Sequence, residues 1–230
     1  MLSNKKNRAF TLVELLVVIS IIALMLAILM PSLAKARRLA KNVICQSNLR
    51  QIGLGVTAYV NEYKGAIPYS GKYVFMNPNN KESKNNWIGL LTPYLSGSKT
   101  PDTLVYDNGK VSRVWMCPEY KASSSNPFSY MMDRHIAYAN NGWPSYPNTT
   151  SRKIYQIPGP GSKIMFADAW GSYPDFTDSS INHIIGLGTG IRHNNKANCL
   201  MVDCHVDWDT ANASYNWLLR FTDVWAIGGR

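Results

Sequence analysis

From Phe10 to Met30 the chain is apolar apart from Thr11, Ser20 and a single charge, Glu14. As a helix rising about 1.5 Å per residue, this run covers roughly 30 Å, the thickness of a hydrocarbon core. Lys5, Lys6 and Arg8 precede it, and Pro31-Ser32-Leu33-Ala34-Lys35 follows it, without the small-residue context of a signal-peptide cleavage site. The segment is therefore expected to stay in the protein. An ionisable group inside such a segment costs about 2.5–3.5 kcal/mol on insertion scales unless it finds a partner, so Glu14 reads as functional. The bland alternative is a simple anchor whose glutamate snorkels to the interface.

Pro31 lacks an amide hydrogen and disfavours helix at Met30, so it should end or kink the helix there. Beyond it Leu33, Ala36, Ala40, Val43, Ile44, Ile52, Val56, Tyr59 and Tyr63 recur at helical spacing, with Lys35, Arg38, Lys41, Asn42 and Arg50 between them. One face should lie on a soluble head. Lys64-Gly65-Ala66-Ile67-Pro68 supplies a stop, while Gly53 and Gly55 each weaken the helix by about 1 kcal/mol and make a bend plausible.

After Pro68 short strands alternate with polar loops. Residues 72–86 are rich in Asn and Lys and read as an exposed loop, and Trp87 to Leu91 as one helical turn or a docking segment. Thr103 to Tyr106 and Val111 to Met116 flank Asp107-Asn108-Gly109, a hairpin pattern closed by Cys117-Pro118. Residues 123–126 and 140–151 have loop composition, Lys163 to Asp168 reads as a buried strand, and a further strand is expected from about Asn198 to Trp208.

The N-terminal residues resemble a known family. A short basic leader, then Ala9, Phe10, Thr11, Leu12, Val13 and Glu14, is similar to the prepilin-type processing site of type IV pilins and type II secretion pseudopilins. The resemblance implies cleavage between Ala9 and Phe10 by prepilin peptidase and methylation of the new Phe10 amine. It also implies that Glu14 pairs with that amine on a neighbouring subunit, each charge offsetting the other's desolvation. Pro31 stands where this family commonly has a proline; Ala9 stands where its usual residue is Gly. The C-terminal run from Arg192 to Asp207, with nine residues between His193 and Asp203, resembles a signature of a large pilin-like group, as do Cys45 to Gly53 and Cys117-Pro118. That group has Gly where this chain has Cys204, which puts the local turn in question because Gly alone adopts positive φ freely.

Orientation also comes from the resemblance, since basic residues flank the apolar run on both sides. It implies a single-pass inner-membrane protein with a cytoplasmic N-terminus and a periplasmic head, extruded when built into a fibre. The four cysteines, Cys45, Cys117, Cys199 and Cys204, then face an oxidising space. Three full pairings exist; a Cys199–Cys204 bond is disfavoured within one strand, and Cys45 with Cys117 is the expected pair. The net charge of +10 loses three when the leader goes, and Lys35, Arg37, Arg38 and Lys41 form a juxtamembrane collar attractive to anionic headgroups. The remaining basic residues are dispersed and accompany no recognition motif, so a nucleic-acid partner is not expected.

Asp203, His205 and Asp207 share one face of the expected strand, and Asp168 with His193 completes a weak metal-ligand set; Asp168, Asp175 and Asp178 form a minor calcium candidate. The bland reading pairs His193 and Asp203 across a hairpin, and neither a metal nor another cofactor is favoured. Cys117 or Cys204 beside a histidine is a weaker nucleophile candidate. The expected fold is α+β and pilin-like, a long helix on a small antiparallel sheet. Its parts are a leader at 1–9, a transmembrane helix at 10–30, an amphipathic continuation at 31–64 and a head at 65–230. The expected role is that of a non-enzymatic fibre subunit, with other pilin-like subunits and an inner-membrane assembly platform as partners. The competing class is a membrane-anchored binding domain with a polar pocket formed by Asp168, His193, Asp203 and His205.

Overall fold

A computed structural model describes residues 10–68, 87–96, 113–120, 129–133, 136, 152–168, 175–176, 192–194 and 196–210. Helix α1 runs from Leu12 to Glu62 and passes through Pro31 rather than ending at it. The chain divides into two compact units, residues 1–40 and 41–230. In the first, the apolar side chains of α1 are exposed around the helix, from Leu12 at 79% to Met30 at 64%. That segment is long and apolar enough to cross a membrane. Lys35, Arg37, Arg38 and Lys41 are exposed as well.

In the second unit one face of α1 is buried, through Cys45, Leu49, Ile52, Val56, Tyr59 and Val60 at three- and four-residue spacing. This corrects the stripe expected from sequence: Leu33, Val43, Ile44 and Tyr63 are exposed, so burial begins at Cys45. Helix α1 continues unbroken through Gly53 and Gly55. A Cβ on Gly53 would stand 3.1 Å from Leu200, and one on Gly55 3.1 Å from Leu95, so both glycines permit close packing. The helix ends as the sequence suggests. Lys64 and Gly65 adopt positive φ, 52° and 86°, and the Gly65 amide donates to the Val60 carbonyl at 2.7 Å in the Schellman pattern.

Among the described residues the sheet has five strands: β1 (Tyr130–Asp133), β2 (Ile164–Asp168), β3 (Asp175–Phe176), β4 (Lys196–Met201) and β5 (Val206–Thr210), in the order β3-β1-β2-β4-β5. All pairings are antiparallel except that of the two-residue edge strand β3, which runs parallel to β1. Strand β2 is buried throughout, as the apolar run Ile164 to Ala167 implies, and its last residue, Asp168, is buried with it. Phe166 and Leu200, with Met132, Trp87, Trp115 and Tyr130, join the helix face in one core. Trp87 opens α2 (Trp87–Ser96), ten residues where the sequence suggested a single turn.

Two expectations are corrected in this unit. Residues 103–112 of the expected hairpin lie outside the described residues, and Arg113–Trp115 form a 3-10 turn rather than a strand. Asn48 explains that turn, because its Nδ2 donates to the carbonyls of Arg113 and Met116, at 3.2 and 2.9 Å, while Trp115 sinks into the core. The strand expected from 198 to 208 is instead two strands, β4 and β5, with Val202 to His205 turning between them. Cys204 takes φ 68° in that turn, so the left-handed conformation is kept without glycine.

Candidate functional site

Four side chains from distant parts of the sequence meet under the helix face. Cys45 comes from α1, Cys117 from the segment after the 3-10 turn, Asp168 from the end of β2 and His193 from the approach to β4. All four are buried, and one ligand atom from each lies within 4.8 Å of all the others. Extended backbone delivers Asp168: β2 carries it one residue past the Ala167–Cys199 pair with β4, where the Asn198 amide donates to its Oδ2 at 2.9 Å. His193 is fixed by a reverse bend, its amide donating to the Lys196 carbonyl at 3.2 Å, with Asn194 at φ 57°. Cys117 is pinned through its amide, which donates to the Ser129 hydroxyl.

The contacts close on one point. The Cys45 thiol donates to Asp168 Oδ1 at 3.1 Å and lies 3.2 Å from the Tyr130 hydroxyl. Cys117 Sγ is 3.2 Å from His193 Nε2, and that nitrogen is 3.4 Å from Asp168 Oδ2. Outside this ring the Arg192 guanidinium donates to Asp168 Oδ1 at 3.1 Å and to the Ser129 carbonyl at 2.8 Å. Glu119 Oε2 stands 3.3 Å from the other imidazole nitrogen, Nδ1.

The electrostatics follow from these neighbours. Burial pushes the Asp168 carboxyl up, but Arg192, His193 and the Asn198 amide together hold it below the usual carboxylate range. Burial pushes His193 down, yet its hydrogen bonds to Asp168 and Cys117 raise it to about 9. The neighbouring Cys45 thiol and the His193 imidazole lower Cys117 to about 6 against the effect of burial. Cys45 is pushed well up, chiefly by burial. The cluster is thus polarised, with one thiolate-forming cysteine beside an imidazolium and one neutral cysteine beside a carboxylate.

Several expected groupings are rearranged. Cys45 and Cys117, the expected disulfide pair, are brought together, but as two unbonded thiols. His193 and Asp203 do not bond across a hairpin; they lie at opposite ends of β4, which rises about 3.3 Å per residue. Asp203 instead accepts from His205, in the exposed β4–β5 turn. The polar pocket expected from Asp168, His193, Asp203 and His205 therefore does not form, since the first two are buried and the last two exposed. For the calcium candidate, Asp178 and the Asp175 side chain lie outside the described residues. Asp168 faces a thiol, a guanidinium and an imidazole rather than the oxygen donors a calcium site needs.

Cys117, His193 and Glu119 stand in the order of a nucleophile, its base and an orienting carboxylate. Cys117 is only 2% exposed, however, and Cys45 and Asp168 fill the space a substrate carbonyl would need. Converging ligand atoms suit an ion better than an attack. Sequence reasoning missed Arg192 and Glu119, although each lies within two residues of a cluster member, His193 and Cys117.

Comparison with known proteins adds two matches. Residues 4–30 match the prokaryotic N-terminal methylation motif, and residues 34–185 match a family described as protein of unknown function (DUF1559). The second match includes Cys45, Cys117 and Asp168 and ends before His193 and Asp203, so the expected His–Asp signature forms no part of it. Curated proteins and solved structures gave no match. With the family match spanning more than half of the chain, the protein belongs to the DUF1559 family and carries a prepilin-type, pilin-like anchor at its N-terminus.

Proposed function

We propose that this protein is a structural subunit of a pilus-like or pseudopilus fibre, matured by prepilin peptidase and acting in type II secretion or a related type IV pilus-like assembly. The observation that carries the reading is a methylation motif fused to an apolar helix whose side chains are exposed all round up to Met30. Exposed leucine and isoleucine of this kind need lipid before assembly and neighbouring helices after it. Catalysis is not part of this reading.

The test is the mature N-terminus. Protein extracted from membranes of cells with the peptidase should begin at Phe10 with a methylated amine, and should keep Met1 in a peptidase-deficient strain. A start at Met1 in both strains, or a cut near Ala34, overturns the proposal.

A further inference from the structure

We propose that Cys45, Cys117, Asp168 and His193 form a structural site for a tetrahedral divalent metal ion, zinc by the chemistry of the donors. Two thiolates, an imidazole and a carboxylate are a borderline-soft set that suits zinc rather than magnesium or calcium. Zinc bonds of about 2.0–2.3 Å set ligand-to-ligand edges of about 3.3–3.8 Å. Cys45 Sγ stands 3.1 Å from Asp168 Oδ1, Cys117 Sγ 3.2 Å from His193 Nε2 and that nitrogen 3.4 Å from Asp168 Oδ2, and one donor atom from each residue lies within 4.8 Å of all the others, so small side-chain rotations that turn a single Asp168 oxygen to the ion complete the tetrahedron. On binding, Cys45 and Cys117 ligate as thiolates and His193 through an unprotonated Nε2; the protons these groups carried leave to solvent, and the metal replaces the hydrogen bonds those protons made.

The surroundings are also those of a metal site. His193 turns Nε2 inward and Nδ1 toward Glu119, 3.3 Å away, the carboxylate–histidine arrangement that fixes a ligating ring. The Asn198 amide and Arg192 hold the Asp168 carboxylate from outside the ligand ring. Two thiolates and one carboxylate around a divalent ion leave one negative charge, and Arg192 neutralises it in a buried place where an unpaired charge is costly. All four ligands are enclosed, with no open position for substrate, which marks a structural rather than a catalytic site. The proposal is independent of how the anchor is processed.

The probe is metal alone. The full chain, purified in detergent under reducing conditions, should contain one zinc per molecule by elemental analysis. After chelation, cobalt(II) should restore the thiolate charge-transfer and intense d–d absorption of a tetrahedral site, and zinc should displace it. Changing Cys199 and Cys204 together to serine should leave this spectrum intact, whereas Cys117→Ser should abolish it. Glu119→Gln lies outside the ligand ring, so it should keep the fold and the spectrum while weakening zinc about 10- to 100-fold. Three results overturn the proposal: folded, reduced wild type that takes up no cobalt; a cobalt spectrum that survives in Cys117→Ser; or peptide mapping of metal-free isolated protein that finds Cys45 joined to Cys117.

Discussion

Glu14 already has a partner within its own subunit. Thr11 is the N-cap of α1, its amide and hydroxyl both donating to Glu14 Oε2 at 2.8 Å while the Glu14 amide donates to Thr11 Oγ1 at 3.3 Å, a reciprocal capping box. This holds the carboxylate beside Thr11, next in sequence to the Phe10 amine that the proposed processing would create. Cap and charge can be separated by substitution. Glu14→Gln keeps an acceptor for the cap and removes the charge, whereas Glu14→Leu removes both and loses about 1 kcal/mol of capping. If the charge pairs with a neighbour's amine, both variants should insert into the membrane yet fail to co-purify with cross-linked subunits. Assembly of the glutamine variant at wild-type levels would leave only the cap. The second residue-scale prediction concerns Cys204, held at φ 68°. Cys204→Gly removes that strain and loses only thiol contacts such as the one 3.4 Å from Thr57 Oγ1. It should raise stability by about 0.5–1 kcal/mol in urea unfolding followed by tryptophan fluorescence. The Gly-to-Cys departure was legible in the sequence, but that the turn survives it is settled by tertiary contacts.

The two helix glycines behave differently because their neighbours do. Alanine gains about 1 kcal/mol of helix propensity at either position. At Gly53 the new methyl would press on Leu200, fully buried between α1 and the sheet and unable to yield, so Gly53→Ala should lower stability by about 1 kcal/mol. At Gly55 it meets Leu95 of α2, partly exposed and free to change rotamer, so Gly55→Ala should be neutral or stabilising. The same urea titration checks both, and equal effects would show that propensity alone governs the helix. Propensity is what a sequence displays, which is why these glycines read as weak points. Periodicity likewise revealed α1, its Lys64-Gly65 stop and β2. It misplaced the start of the buried face, because Leu33, Val43 and Ile44 continue the apolar pattern without anything packed on them. The 3-10 turn at Arg113 was hidden for a related reason, since Asn48 sets it from 65 residues away.

Taken whole, the chain carries two kinds of information, and only one is local. The anchor, its processing site and its basic collar are contiguous and could be read directly. The collar makes a prediction of its own: replacing Lys35, Arg37, Arg38 and Lys41 with glutamine should reduce the anionic lipid that co-purifies with the full chain, at about 1 kcal/mol per charge, and added salt should mimic the change. Unchanged lipid content would show that the collar contacts something else. The cluster was legible only in pieces, with His193 and Asp168 noticed as candidate ligands and Cys45 and Cys117 as a candidate pair. What unites them is tertiary: the antiparallel registration of β2 with β4 places Asp168, and the packing of α1 and of the turn at Arg113 brings Cys45 and Cys117 to it, none of which a local pattern encodes. That registration also imposes a schedule on the newborn protein. Cys45 and Asp168 are 123 residues apart, so at about 5–20 residues per second the ribosome needs roughly 6 to 25 seconds after making the first to deliver the second. For that interval the helix offers a bare apolar face and a solitary thiol to whatever is nearby, and a chain cut short before β4 never covers them.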